Sequence, residues 1–250
     1  MTQFSETLRT WRATRKLSQL ELAVEAEVSA RHISFLETGR SRPSREMIAR
    51  LGEALRLPLS ARNQMLGHAG FAARYSSSGW DAESMAPIRA ALDHTLAGHA
   101  PYPAIAADHE WTIVKMNPPA SALLGIMGLH EGTSLIDLVL RDELEPFVEN
   151  WPQVAHHSAL RLRTESAAQG GVARLDEAAA KLSEVPYEGD EPLSPVIPTV
   201  FVAGGQRLAL FSTIAQFGTP VDMTLDDLKI ELFFPADTAT RQLLQQMSSV

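Results

Sequence analysis

"SQLELAVEAEVSARHISFLETGRSRPS", residues 18–44, decides how the first part of this chain folds. Ser18-Gln19-Leu20-Glu21 has the form of a capping box. The Ser18 hydroxyl can accept the Glu21 amide proton while the Glu21 carboxylate reaches back to the Ser18 amide. The spacing predicts a helix from there to about Glu25, a tight turn at Ala26-Glu27-Val28, and a second helix capped by Ser29 and ended by Gly39. Leu22, Ala26, Val28, Ile33 and Leu36 can share one small core, and Ala23 is small enough to let the two helices approach. Ala30, Arg31, His32 and Ser34 are then left off that core, ahead of a basic run at Arg40, Arg42 and Arg45. A helix held across another with its N-terminal outer face free fits a DNA major groove.

The flanks agree with this reading. One helix is expected over about Phe4–Arg15, a fourth capped by Ser44 to about Leu55, and a fifth from Ser60 to about Ala69 after Pro58. "GFAARYSSSGWDAESMA", residues 70–86, is rich in small and polar residues and reads as a linker. The expected organisation is a DNA-binding domain at 1–70, a linker and connecting helix at 71–99, and a second domain at 100–250.

Charge is divided in the same place. Residues 1–62 carry eleven Lys/Arg against seven Asp/Glu, a net +4, whereas the remainder carries eleven against twenty-three, a net −12. The total of −8 argues against a generic nucleic-acid binder, but the split suggests one part that meets a polyanion and one that does not. Cysteine is absent, which excludes disulfides and thiolate chemistry and permits a reducing compartment. "MTQFSETLRTW" has no apolar signal core and no apolar run reaches the ~18 residues of a membrane helix, so a cytoplasmic protein without membrane contact is expected.

"LRTWRATRKLSQLELA" matches the Leu-Arg-x-x-Arg … Leu-Ser-Gln-x-x-Leu-Ala pattern of the lambda-repressor and Cro class, and the region resembles that helix-turn-helix. Glu27 stands where that class usually has glycine. By position, the resemblance implies that Gln19 touches phosphate. Ala30, Arg31 and Phe35 face bases, with Ser29, His32 and Ser34 beside them, and Arg40 and Arg42 lie near the backbone. Arg12 joins this set and pairs with Glu37. "VSARHISFLETGRSRPSREMIARLGEALRLPLSARNQMLGHAGFAARY" is similar to the MmyB-like transcription regulators, in which such a domain precedes a PAS-like sensor domain. "YPAIAADHEWTIVKMNPPASALLG" resembles that family's first hairpin and helix, whereas beyond residue 190 the usual His-Pro element is missing. The expected fold is an all-α helix-turn-helix domain followed by an α+β, PAS-like domain.

In the second half, a helix over Pro87–Leu96 precedes a hairpin through "PAIAADHEWTIVKMN", stopped by Asn117-Pro118-Pro119. Helices follow at about 120–128, 134–149 and 153–183, the last broken near Gly170-Gly171. "RLALFSTIAQF" and "LKIELFFP" read as strands, with Leu228, Ile230 and Leu232 alternating against Lys229, Glu231 and Phe233, and 238–247 as a closing helix.

Catalytic readings find little support. His156-His157 are adjacent and so point about 100° apart on a helix, a poor spacing for metal ligands. Asp108, His109 and Glu110 fall in a turn, no GxSxG elbow accompanies any serine, and Gly204-Gly205 reads as a hairpin turn rather than a phosphate loop. No metal and no cofactor are expected.

The strands instead offer apolar side chains: Ile105, Trp111 and Ile113 in the first hairpin, Phe201, Leu208 and Leu210 in the later one, Leu232 and Phe234 in the last. A PAS-like sheet curled over helices can enclose a cavity lined by such residues. With no basic cluster or glycine-rich loop, a phosphorylated ligand is disfavoured. An elongated apolar molecule such as a fatty acid fits better, and the family resemblance points the same way. A fully packed core without ligand would use the same residues. The expected function is therefore sequence-specific binding of double-stranded DNA by a regulator, as a homodimer because one such helix reads only a few base pairs. Its second domain is expected to sense a small apolar ligand, to dimerise, or both. The competing readings are a DNA-tethered enzyme domain and an antitoxin-like adaptor that binds a protein partner.

Overall fold

Five short helices open the chain: α1 (Gln3–Thr14), α2 (Gln19–Glu25), α3 (Ala30–Glu37), α4 (Arg45–Ala54) and α5 (Leu59–His68). The structure is a computed structural model that describes residues 2–189, 196–203, 205–218, 220 and 222–247. Side-chain oxygens of Thr2, Ser18, Ser29 and Ser44 cap α1 to α4 by accepting the amide protons of Ser5, Glu21, His32 and Met47. The capping box at Ser18 is complete: the Glu21 amide donates to Ser18 Oγ at 3.1 Å, and the Ser18 amide donates to Glu21 at 2.7 Å.

The same four helices end in the same way. Lys16, Glu27, Gly39 and Arg56 stand just past the C-caps with φ of 55, 54, 73 and 49°. Beyond each, the next amide reaches back to a helix carbonyl: Leu17 to Arg12 at 3.1 Å, Val28 to Ala23 at 2.9 Å, Arg40 to Phe35 at 2.9 Å, Leu57 to Gly52 at 2.8 Å. These are Schellman ends, which satisfy carbonyls left over by the last turn. Glu27 therefore occupies the left-handed position between α2 and α3 at a cost of roughly 1 kcal/mol, which the closing bonds offset. Phe4, Leu8, Leu22, Ile33, Leu36, Ile48, Leu51 and Met65 form the shared core.

The chain divides into two compact units, Met1–Ser78 with Ala167–Val172 and Thr219–Asp226, and Gly79–Ser166 with Ala173–Gly218 and Asp227–Val250. In the first, the Leu59 amide, which Pro58 cannot cap, donates to Asp226 at 2.9 Å. Asp222 accepts the hydroxyls of Ser76 and Ser78 at 2.6 and 2.8 Å. Burial pushes the Asp222 carboxyl up, but the bonds from Ser76 and Ser78 outweigh it and hold the group below the usual carboxylate range.

The second unit carries α6 (Ala86–Gly98), β1 (Ala104–Ala107), β2 (Ile113–Met116), α7 (Pro118–Gly125), α8 (Leu135–Leu140), α9 (Trp151–Gln169) and α10 (Ala173–Leu182). After these come β3 (Thr199–Ala203), β4 (Gln206–Ala215), α11 (Met223–Asp226), β5 (Lys229–Pro235) and α12 (Thr238–Met247). The last residues of α9 and the whole of α11 fall within the first unit's segments. The five strands form one antiparallel sheet in the order β2-β1-β5-β4-β3. This is the α+β architecture expected of the second half. Asn117 joins three elements, α6, β1 and α7: its side-chain oxygen accepts the Ala104 and Ala120 amides, and its amide donates to the Leu96 and Tyr102 carbonyls. The helix expected over 134–149 is shorter, because Asp142 turns left-handed with φ 59° and the Glu143 amide closes on Leu138. Gly204 of the later hairpin lies outside the described residues; Ala203 pairs with Gln206 across that turn.

Both faces of the sheet are covered. On one, Leu92 and Leu96 of α6 pack with Ala104, Ala106, Leu228 and Ile230. On the other, Ile105, Ile113, Leu208 and Leu210 pack with Leu123 and Leu124 of α7 and Leu244 of α12. Burial on two sides explains why Lys229 and Glu231, which alternation alone would place in water, are only 6% and 8% exposed.

Candidate functional site

Two places in the molecule present unusual arrangements of polar side chains. The first is α3 and its surroundings. Ile33 and Leu36 are fully buried, which fixes the helix, while Arg31 on the opposite face is exposed. The Arg31 guanidinium stands 5.2 Å from the Phe35 ring one turn away, a cation–π contact that orders both side chains on the free face. Ser29, His32 and Ser34 are partly or fully exposed around them, and Arg40 and Arg42 are exposed in the loop that follows. Ala30 sits at the edge of the core, against its side chains.

Behind α3, Glu37 is buried and receives three donors. Arg12 gives Nε at 2.6 Å and Nη2 at 3.0 Å, and Gln19 gives its amide at 2.8 Å. The remaining Arg12 nitrogen, Nη1, donates to the Leu17 carbonyl at 2.7 Å. Burial alone would raise the Glu37 carboxyl, but Arg12 and Gln19 hold it below the usual range. The expected Arg12–Glu37 pair is thus present. Its geometry commits Arg12 and Gln19 to holding α1, α2 and α3 in register.

The second place is a cavity of about 300 Å³ inside the second unit. Its walls come from Ile105 of β1, Leu124 of α7, Ile136 and Val139 of α8, Trp151, Val154 and Leu162 of α9, Thr199 and Phe201 of β3, Leu210 of β4 and Phe233 of β5. One end is polar, with His157, Ser158 and Arg161 of α9 facing Ser212 and Glu231 of the sheet. Trp111 forms part of that end. It has φ 62°, an uncommon conformation for a bulky residue, and Asp108 fixes it by accepting the Glu110 and Thr112 amides. The indole N–H donates to Glu165 at 2.9 Å, and the Arg161 guanidinium and the Lys229 ammonium lie 4.2 and 4.5 Å from its ring.

Arg161 is incompletely matched. Its Nε donates to Glu165 at 3.1 Å and its Nη1 to Glu231 at 3.3 Å, while Ser212 donates to the same Glu231 oxygen at 2.6 Å. Its Nη2 has no partner, and neither does His157 Nε2; among the described residues these two are the buried side-chain polar atoms left unpaired. Both belong to residues that line the cavity, and they stand at i and i+4 on α9, on one face. A buried donor left unpaired costs ~1–3 kcal/mol. Burial, and then the charge of neighbouring His156, push the His157 imidazole below its ordinary range. Burial pushes the Glu165 carboxyl up, but Lys229, Trp111 and Arg161 together hold it below the carboxylate range.

Two families match this chain. Residues 88–247 match the MmyB-like transcription regulator ligand binding domain, and residues 3–65 match a helix-turn-helix domain. The chain belongs to the MmyB-like transcription regulators. It is accordingly a DNA-binding transcription regulator with a ligand-binding domain. No curated protein matches this regulator. Among solved structures, the sensor region of a sensor histidine kinase aligns at 16% identity over 80% of the regulator and 56% of that chain, little more than half its length, with a TM-score of 0.32. No described helix of the regulator is long and apolar enough to cross a membrane.

Of the side chains expected to line a pocket, Ile105, Trp111, Phe201 and Leu210 come together on the cavity wall. Ile113 and Leu208 are buried in the adjoining core. Leu232 and Phe234 require a correction: they lie on the other face of the sheet, Leu232 against the α6 cluster and Phe234 stacked on Phe211 with ring centroids 5.4 Å apart. The cavity takes their neighbours Glu231 and Phe233 instead, since successive side chains of a strand point to opposite faces. The sequence reading missed the polar end entirely. Its signal was the i, i+4, i+8 row His157, Arg161, Glu165 on the face of α9 that also carries Val154 and Leu162. His156-His157, weighed there as a metal pair, form an edge-to-face ring contact at 5.2 Å, and no metal-ligand group occurs among the described residues.

Proposed function

We propose that the regulator reads duplex DNA as a homodimer through α3, and that an elongated, fatty-acid-like molecule in the second unit's PAS-like domain sets its DNA affinity. The observation that carries this reading is the 300 Å³ cavity, apolar along its walls and polar at one end. Its volume is at the lower bound of small-molecule sites, which span roughly 300–1,000 Å³ and combine apolar walls with a few placed polar groups. Arg31 and Phe35, with Ser29, His32 and Ser34, face the bases. Arg40 and Arg42 contact phosphate, and Arg12 and Gln19 act mainly by fixing α3.

Two-fold assembly places half-sites about one DNA turn, ~34 Å, apart or a multiple of it. The domains are those of a regulator, and the reading assigns the chain no catalysis and no metal. Native mass spectrometry of gently purified full chain, followed by extraction of whatever is bound, tests the ligand. A mass excess that extracts as an apolar molecule is the expected result. A clean chain mass, with no thermal shift from medium- and long-chain fatty acids, would leave the second domain as a dimerisation platform. Light scattering should return a dimer, and a strictly monomeric chain with and without DNA would remove the two-fold site.

A further inference from the structure

Residues 71–75, "FAARY", follow α5 but stay within the first unit. Gly70 takes φ 83°, and the Phe71 amide closes on the Leu66 carbonyl at 2.9 Å. Phe71 then packs against the core of the five helices. Asn63 of α5 clamps the next residues. Its Oδ1 accepts the Arg74 and Tyr75 amides at 2.9 and 3.1 Å, and its Nδ2 donates to the Tyr75 carbonyl at 2.8 Å. Arg45 of α4 adds a second hold. Its guanidinium lies 5.2 Å from the Phe71 ring, and its Nη2 donates to the Ala72 carbonyl at 3.2 Å. With its backbone and one ring so held, the segment is a built part of the unit that carries α3.

The holds also fix where the segment lies. Arg45 is the first residue of α4. Side chains of a helix lean toward its N-terminus, so Arg45 meets Ala72 at the end of α4 that emerges from the loop of Arg40 and Arg42. Arg74 stands two residues further on, at most ~7 Å of chain. Its guanidinium is exposed, 5.7 Å from the neighbouring Tyr75 ring. Ala72 and Ala73 are exposed and small, so another backbone can come close to this edge.

Cations elsewhere in the unit are tied down within it: Arg12 by Glu37, Arg50 by Glu46, Arg15 and Arg62 by main-chain carbonyls. Arg40, Arg42, Arg45 and Arg74 form no ion pair among the described residues. A run of unpaired cations along one edge matches a DNA strand, whose phosphates recur every ~3.4 Å of axis.

We infer that residues 71–75 are a further part of the DNA interface, in which Arg74, held in place by Asn63 and Arg45, contacts a backbone phosphate next to those met by Arg40 and Arg42. The inference rests on the DNA-binding reading above and extends the interface past the five helices. A phosphate contact carries no base preference. Arg74 therefore adds affinity and register on every sequence and leaves selection to α3.

Fluorescence anisotropy on the full chain tests this, with a duplex selected from random sequence and a random duplex, each over a range of salt concentrations. Arg74→Ala should weaken both duplexes by the same factor, about fivefold at ~0.1 M salt, and lower the salt slope by about one. Arg74→Lys should keep most of the slope, since a point charge is enough for a phosphate. The urea midpoint of Arg74→Ala should not move, which separates a lost contact from a lost fold. Unchanged affinity and slope in Arg74→Ala, in a chain whose Arg31→Ala variant loses the preferred site, would overturn the phosphate contact and leave DNA reading by α3 intact. A loss confined to the preferred duplex, or a loss with no change in slope, would overturn it as well. Failure of the unaltered chain to bind either duplex would overturn both readings.

Discussion

Each unit sets an arginine against a glutamate, and the two pairs differ in what is left over. In the first, every nitrogen of Arg12 has an acceptor, and Gln19 donates to the same buried Glu37. In the second, Arg161 is shared between Glu165 and Glu231 and still has Nη2 unpaired beside the equally unpaired His157 Nε2. A closed cluster holds helices in place, since removing either charged partner leaves the other charge without its match. An open one has stability in reserve for whatever fills it. The same residue types thus build a scaffold in one unit and a receptive surface in the other.

The largest expected effect breaks the closed cluster. Glu37→Ala strands Arg12 and Gln19 and should cost about 3 kcal/mol in urea unfolding. A loss below 1 kcal/mol would show that the cluster is not what orders α3. Next comes the exposed face. Arg31→Ala should weaken the preferred DNA site by ~1–3 kcal/mol and relax preference at one base pair, measured by fluorescence anisotropy on specific and random duplexes. Arg42→Ala should weaken all sequences alike and reduce the salt slope by about one. Unchanged affinities in Arg31→Ala would remove it from the base-reading set.

The open cluster should respond more mildly in stability. Arg161→Leu removes an unpaired donor together with two ion pairs, while Lys229 and Trp111 still hold Glu165 and Ser212 still holds Glu231. Its unfolding free energy should fall by less than that of Glu37→Ala, by about 1 kcal/mol or under. A loss as large as that of Glu37→Ala would erase the distinction drawn between the two clusters.

The smallest effect is in pH. Glu37, Glu165 and Asp222 have folded values below their unfolded ones, so their stabilisation is present above about pH 4.5 and is lost as pH falls. The His157 imidazole is also pushed down. The unfolded chain then binds its proton first, and stability falls as pH drops through about 6.5. In the ligand-free protein, His157→Gln should flatten the slope of stability between about pH 5 and 7 and leave the carboxylate-driven fall below pH 4.5 unchanged. An identical slope in both proteins would show that His157 is not held neutral.

The first unit was legible because its signals are local. A capping box, hydroxyl caps at Ser29 and Ser44, and apolar spacing name helices within a few residues of themselves. Even the turn at Glu27, lacking the usual glycine, closes through backbone bonds that any residue can make. The cavity was half legible. Strands and helices could be recognised, and Ile105, Trp111, Phe201 and Leu210 do meet. Which face of β5 they meet was not written in hydrophobicity, because Leu232 and Phe233 are both apolar and both faces of the sheet are covered. The polar end could not be found by apolar spacing at all. Glu231 is separated from Arg161 by 70 positions, and only folding brings them to 3.3 Å.

In the proposed function, a molecule in the second unit's cavity governs DNA binding by α3. The direct measurement is the affinity of the full chain for a duplex selected from random sequence, with and without saturating dodecanoate. A shift of about fivefold or more in Kd is expected, matched by an equal shift in dodecanoate affinity when DNA is present. Identical DNA affinities, with dodecanoate shown to be bound, would contradict it.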